Sequence, residues 1–412
     1  MKRRPEDFAV NGGRPLFEDP VPFGQLYFPS WERYENDMRA LWARGWYTNH
    51  GPLLQLFEER LADFFGVRHA IVSTNEAIAL SILLKASGIR GRVVLPAFCS
   101  VGTARAVTWA GLEPVFADVD PLTHHVSRRT LRDALESAGD DHGPPVSGAV
   151  FANLWGTAAP RDELEEVTRA HGLTVLYDSA HGAGTEVTPG IRLGRFGGAE
   201  VFSFHASNVL SCAEGAAVTT DDDDIADRYR NMRCGYGIPR RVPVPTTSNG
   251  RASEAQALLG LAALDSFDEH VTHNHAVHLA YTDSLHDVPG VTLLEGRGVH
   301  RSNGSYVVAM VDAAQYGMTA DELARVLHAE GVGVGRYFGP GAHHLPPYVQ
   351  DPTHRRPLAG ADEVSANVVQ LPVGGRTAGP VAQMIAELVA CASRHAPALR
   401  RQLDDASANP GK

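Results

Sequence analysis

The chain has 412 residues, of which 43% are apolar and 21% charged, with a formal net charge of −11; this composition predicts a soluble globular protein of two or three domains. No Lys/Arg-rich run accompanies the acidic balance, which argues against a nucleic-acid or anionic-membrane surface. No apolar run of about 18 residues occurs, and no apolar stretch follows the basic start MKRRPEDF, so a cytoplasmic protein without a membrane span is expected.

Residues 1–30 read as an N-terminal arm. Two helices are expected over 30–66, from WERYENDMRALWARGW and PLLQLFEERLADFFG, with Asn49-His50-Gly51-Pro52 as the break between them. From 70 to about 220 the apolar runs AIVS, RVVLP, EPVFADVD, GAVFANLW, LTVLYD and AEVFSF alternate with helical patterns such as EAIALSILLKASG and PRDELEEVTRAHG. That alternation predicts βαβ units and a mostly parallel sheet flanked by helices, in a large α/β domain spanning 31–262. Ligands of such sheets sit beyond the carboxyl ends of the strands, and Asp178 lies at one such end.

The acidic run 221–224 reads as a solvated loop and helix N-cap, because the helical IADRYRNMR follows directly. His270, His273, His275 and His278 lack the H-E-x-x-H spacing and are read without a metal; His124 and His125 are read as loop residues. No metal site is predicted. Cys99, Cys212, Cys234 and Cys391 lie far apart with no C-x-x-C pair, as free thiols of a reducing compartment do. From 263 a helix, the strands GVTLLEG and SYVVAMVD, a helix over 319–330, a further strand and a helix over 379–394 predict a smaller α+β domain reaching 400. The residues 401–412 are expected to form a loose tail.

In order from about residue 12 to 395, the segments GGRPLF, PAFCSVGTARAVTWAGLEPVFADVDPLT, LWGTAAPRDELEEVTRAHGLTVLYDSAHGAG, FGGAEVFSFHASNVLSCAEGAAVTTDD, SNGRASEAQALLGL and RYFGPGAHHLPPY resemble the DegT-like sugar aminotransferases. The resemblance implies the fold-type I architecture of PLP-dependent transferases, a homodimer, and a small-molecule substrate such as a nucleotide-linked keto-sugar or related ring. It places Asp178 as the carboxylate that pairs with the pyridinium nitrogen of PLP, keeping the ring an electron sink. Ser203 matches a phosphate contact, Asn249 a residue reaching the phosphate from the neighbouring subunit, and His181 a polar position beside the ring. The phosphate-cradling pair falls on Thr74-Asn75, where small residues are usual because backbone N–H groups must approach the phosphate closely. The ring-stacking aromatic falls on Ser100, beside Cys99. Thr48-Asn49 and His343 match regions lining the substrate side.

The family's lysine, the last residue of F-S-F-H-x-T-K, falls on Asn208. That lysine forms the Schiff base and shuttles the proton, and an Asn amide is neither nucleophilic nor basic near neutral pH. The chain has three lysines, Lys2, Lys85 and Lys412, so no slip of the alignment restores one. Lys85 lies roughly 15 Å along a helix from the phosphate loop at 1.5 Å per residue, and the other two fall in terminal segments. Ordinary lysine-dependent transamination is therefore not expected. Three readings stay open. PLP or PMP is held non-covalently while His181, His205, Glu214 or His343 moves protons. Alternatively the pocket holds no cofactor and performs a dehydration, cyclisation or condensation, relined by Ser100, Cys99, Cys212 and the histidines. Or the chain is a non-catalytic subunit of a heterodimer with an active paralogue, whose site Asn249 helps complete.

Overall fold

The protein is described by a computed structural model covering residues 2–140, 143–296, 298–350 and 357–408. Helices α1 (Trp31–Arg44) and α2 (Pro52–Phe65) form as the sequence pattern predicts. Each ends in a left-handed glycine, Gly45 (φ 70°) and Gly66 (φ 67°), the conformation glycine adopts without a Cβ penalty.

The large domain then alternates strand and helix: β1 (His69–Ser73), α3 (Glu76–Ala86), β2 (Arg92–Pro96), α4 (Val101–Trp109), β3 (Glu113–Ala117), α5 (Arg128–Asp140), β4 (Val146–Ala152), α6 (Arg161–Ala170) and β5 (Thr174–Asp178). A short hairpin, β6 (Glu186–Thr188) and β7 (Ile191–Arg192), precedes β8 (Ala199–Ser203), β9 (Ala216–Thr220), α7 (Asp223–Arg233) and α8 (Glu254–Asp265). Seven strands make one sheet in the order β1-β9-β8-β5-β4-β2-β3. All run the same way except β9, which is antiparallel to β1 and β8. Every residue of β2, β8 and β9 is buried, as expected for a sheet covered on both faces. Asp222 caps α7 by accepting from the N–H groups of Asp224 (2.8 Å) and Ile225 (2.9 Å), the capping role expected for the acidic run.

The C-terminal part contains α9 (Phe267–Leu285), β10 (Val291–Leu293), β11 (Val307–Val311), α10 (Ala313–Tyr316), α11 (Ala320–Ala329), α12 (Ala359–Asn367), β12 (Val368–Leu371), α13 (Gly379–Arg394) and α14 (Ala396–Ala408). Its antiparallel sheet has the order β10-β11-β12 and shares a core with α9, α11 and α13. Two expectations about the ends are corrected. The stretch 401–408 continues α14, with Leu399 and Leu403 buried, because one apolar stripe suffices to dock a helix; 409–412 lie outside the described residues. Lys2 is buried and ion-paired to Glu330 at 2.8 Å, so the start of the chain is anchored to α11. Among the described residues no helix is long and apolar enough to cross a membrane.

Candidate functional site

The carboxyl ends of β4, β5 and β8 and the N-termini of α3 and α4 surround a cavity of about 630 Å³, whose wall also includes the loop that carries Tyr337 and Phe338. Asp178, the last residue of β5, is 5% exposed. Thr103 on α4 donates to its Oδ2 at 2.6 Å and the Ala180 N–H to its Oδ1 at 3.1 Å. Burial raises the Asp178 pKa, and these two hydrogen bonds oppose that rise. Ser100 also lines the cavity, where its hydroxyl caps α4 by accepting from Gly102 N–H at 3.1 Å. A helix cap thus stands at the position expected to stack on a ring.

Asn75 lines the cavity but spends its side chain on its own helix, accepting from Ile78 N–H at 3.0 Å. The neighbouring Thr74 is not in the lining; its backbone bonds to Gly250 and Gln256. The first residue of α3, Glu76, is a lining residue that the sequence reading did not single out. Its Oε1 is fully buried without a hydrogen-bond partner. Burial, then the charges of Asp178 and Glu214, hold its carboxyl well above the usual carboxylate range. A signal was present in VSTNEA: a carboxylate at the first turn of the helix expected to cradle a phosphate.

Asn208 lies on the cavity wall, 6% exposed. Its amide donates to the Ser203 carbonyl at 3.1 Å and accepts from the Tyr306 hydroxyl at 3.2 Å. His181 packs against Tyr306 and Trp155, with ring centroids 4.3 and 5.2 Å away. The Trp155 N–H approaches its Nδ1 at 3.4 Å, leaving Nε2 to carry the proton. Burial depresses its pKa to about 3, so the ring is neutral near pH 7. His205 and Glu214 stand at the rim, about half exposed, with Nε2 and Oε1 3.7 Å apart. Ser203 and Cys99 complete the expected lining, and burial keeps the Cys99 thiol protonated by pushing its pKa far up.

Several expected site residues lie elsewhere. His343 turns away from the cavity to pair with Asp362 at 3.1 Å, while its neighbours Ala342 and Leu345 form the wall. Burial and the adjacent His344 lower its pKa. Cys212 is packed in an apolar cluster with its thiol on the Glu214 carbonyl. Asn249 is exposed and Thr48-Asn49 are not lining residues. His124 and His125, read as loop, are buried; Trp155 Nε1–H donates to His124, and His125 bridges the Ala152 carbonyl and Thr157. Of the histidines of α9, His273 bonds to the backbone of Gly374 and Thr377 and His275 to that of Ser302. Among the described residues, His343, His344 and Asp362 are the one group whose ligand atoms approach closely enough to hold a metal ion. A second cavity, about 520 Å³ and bounded by Thr157, Tyr177, Phe196 and Leu294, contains none of the expected site residues.

The arrangement concentrates proton-transferring groups: two buried carboxyls, a neutral imidazole and a rim His–Glu pair around one space. Raised carboxyl pKa values in a cleft are the pattern expected of general acid–base groups.

A model of the DegT/DnrJ/EryC1/StrS aminotransferase family matches residues 31–390. The dTDP-4-amino-4,6-dideoxy-D-glucose transaminase of Shigella dysenteriae is 27% identical over 90% of this chain and 99% of its own. GDP-perosamine synthase of Caulobacter vibrioides is 31% identical over 83% of this chain and 91% of its own. The solved structure of DesI with its TDP-sugar product matches with a TM-score of 0.89 at 36% identity, covering 97% of this chain and 99% of that one. The mixed α/β fold with its mostly parallel sheet is thus that of the fold-type I aminotransferases, as the sequence resemblance implied.

Proposed function

The chain belongs to the DegT/DnrJ/EryC1/StrS aminotransferase family, and from that premise we propose an enzyme of sugar or natural-product biosynthesis that works without a Schiff-base lysine. Its substrate on this reading is a nucleotide-linked sugar or comparable small ring, in keeping with the nucleotide sugars named for its relatives. The proposal is carried by Asn208, which the resemblance aligns with the family's lysine and whose buried amide is bonded to Ser203 and Tyr306. Among the described residues the other lysines offer no substitute. Lys85 donates to the Ala110 carbonyl at 2.8 Å from the last turn of α3, and Lys2 is paired with Glu330.

PLP, the family's cofactor, supplies an electron sink when bound. Asp178 and Ser203 suit such a group. The α3 end of the cavity does not suit its phosphate, because Glu76 puts an unpartnered carboxyl there and Asn75 uses its polar group on its own helix. Of the open readings this favours PLP-independent chemistry over a non-covalently held PLP or PMP, and the reaction is assigned to the chain's own side chains. Burial raises the pKa of Glu76 and Asp178, which favours the protonated forms from which a proton can be delivered to a leaving hydroxyl. His181 contributes a neutral N–H donor, and His205 with Glu214 forms a solvent-facing relay. This set fits a dehydration or related elimination. The exposed Asn249 suits the expected homodimer, in which it would serve a second copy. A solely non-catalytic role is less well supported, since desolvated carboxyls in a cleft are costly to keep.

The test is to mix the purified chain with PLP, reduce with borohydride and measure the intact mass. No pyridoxyl adduct is expected, and one on any side chain would overturn the reading. In parallel, turnover of a nucleotide-linked 4-keto-6-deoxy sugar is expected in the absence of any pyridoxal species.

A further inference from the structure

A helix N-terminus carries partial positive charge and free N–H groups, and so attracts anions. In this chain the α3 end of the cavity already carries a carboxyl of its own, Glu76. We propose that Glu76 makes this end of the cavity a subsite for an organic cation, so that the cavity takes a protonated amine and turns away a phosphate monoester. The inference concerns the same cavity as the reading above, and rests on it for the absence of a covalently anchored cofactor.

Four observations support it. The Glu76 Oε1 atom is buried and unpartnered, so the chain itself leaves this acceptor unmet, a state that costs free energy until a donor arrives. Asp178 and Glu214 line the same space, and their charges, after burial itself, raise the Glu76 pKa. A bound cation relieves that repulsion, whereas a phosphate adds to it. The cations that could offset the carboxylates are engaged. Arg336 lines the cavity but bonds to Asp321 and to the carbonyls of Ser365, Ala366 and Val368. His205 faces Glu214, and His181 is neutral. Finally, the rings of Tyr306, Tyr337 and Phe338 share the lining, and aromatic faces attract ammonium groups.

Pyridoxamine and pyridoxamine phosphate provide the test, because they differ in the phosphate alone. Their binding to the full-length protein can be followed by calorimetry near neutral pH. The wild-type chain should bind pyridoxamine at least about tenfold more tightly than its phosphate. Glu76→Gln, which keeps the shape and removes the charge, and Glu76→Ala, which also opens the space, should both reverse that order. Equal or tighter binding of the phosphate by the wild-type chain overturns the proposal. So does undetectable pyridoxamine binding, or an unchanged order in variants that keep the wild-type circular dichroism. A borohydride-trapped adduct would instead defeat the lysine-free reading, so the two failures are distinguishable.

Discussion

Asn208→Lys places an amine at the position that the resemblance aligns with the family's lysine. Asn208 makes two side-chain hydrogen bonds, at 3.1 and 3.2 Å, each worth about 1 kcal/mol net. A lysine ammonium can donate to the same two oxygens, Ser203 O and Tyr306 Oη, because it carries three donors. The substitution should therefore cost no more than about 2 kcal/mol and leave a folded protein. Capture of PLP then depends on seating its phosphate against Glu76. Protonating Glu76 bounds that penalty. From its ordinary pKa of 4.5, taking up a proton at pH 7 costs about 3.4 kcal/mol at 1.36 kcal/mol per unit. Burial and the neighbouring carboxylates have already raised the pKa, so the true penalty is smaller. Asn208→Lys alone should thus yield a borohydride-trapped adduct, but only at PLP concentrations about ten- to a few hundredfold higher than Asn208→Lys/Glu76→Ala requires. Intact-mass measurement across a PLP titration reads this directly. Identical titration curves for the two proteins would show that Glu76 does not obstruct the phosphate.

Further predictions concern the scaffold of the site. Glu58 accepts from Arg233 (2.7 Å) and Val72 N–H (2.9 Å) and contacts His50 (2.9 Å); burial would raise its pKa, but Arg233 and His50 outweigh it and hold the carboxyl at about 2. Glu58→Gln leaves the fully buried Arg233 uncompensated and should cost about 3–5 kcal/mol of stability. Since the folded pKa is depressed, that contribution is present above pH 4.5 and disappears as pH falls toward 2; urea midpoints of the two proteins should converge over this window, and a constant gap would refute the pairing. Thr103→Val removes the buried donor to Asp178, worth about 1.5–3 kcal/mol for a charged acceptor. The limb of the pH–rate profile governed by Asp178 should then move up by about one to two units, and an unmoved profile would exclude Asp178 from proton transfer. Burial pushes the Cys99 and Cys212 thiols far up, so iodoacetamide should label neither until urea unfolds the chain; rapid labelling of the native protein would contradict the packing described.

Much of this architecture was legible because buried parallel strands are written as unbroken apolar runs. The strand β9 escaped for the opposite reason: AAVTT is small, with hydroxyls on two of its five residues, and its burial comes from neighbours on both sides. In α14 the stretch RQLDDASA looks polar because Leu403 alone among the described positions turns inward there. Of the residues that line the cavity, Asp178 was legible from its place at a strand end, whereas Asn208 was legible from the resemblance over FSFHASNVL, with the count of three lysines excluding a slip. His343 was misplaced because sequence brings the segment PGAHHLPPY to the cavity without saying which side chain turns in. A short helical turn over Ala342–His344 directs His343 to Asp362 instead. Glu76 was not legible as a lining residue because the resemblance puts the phosphate pair on Thr74-Asn75, whereas the helix begins one residue later, after the Asn75 cap.

On the proposed reading the two departures at this site act in one direction. Asn208 withholds a positive charge from the cavity, and Glu76 supplies a negative one. Either alone could be absorbed: a lysine could neutralise an added carboxylate, and Asp178 could stay ionised beside a cationic ring. Together they leave Asp178 and Glu76 sharing a desolvated space with no cation on the lining free to pair with them among the described residues. Such carboxyls must retain a proton or attract a positive ligand, since an uncompensated buried charge is the costliest alternative. A retained proton near neutral pH is what an acid-catalysed elimination requires, and a preference for a positive ligand is what a phosphate cradle lacks. Proton donation and amine selectivity therefore have one electrostatic origin, and Glu76→Gln should weaken both at once.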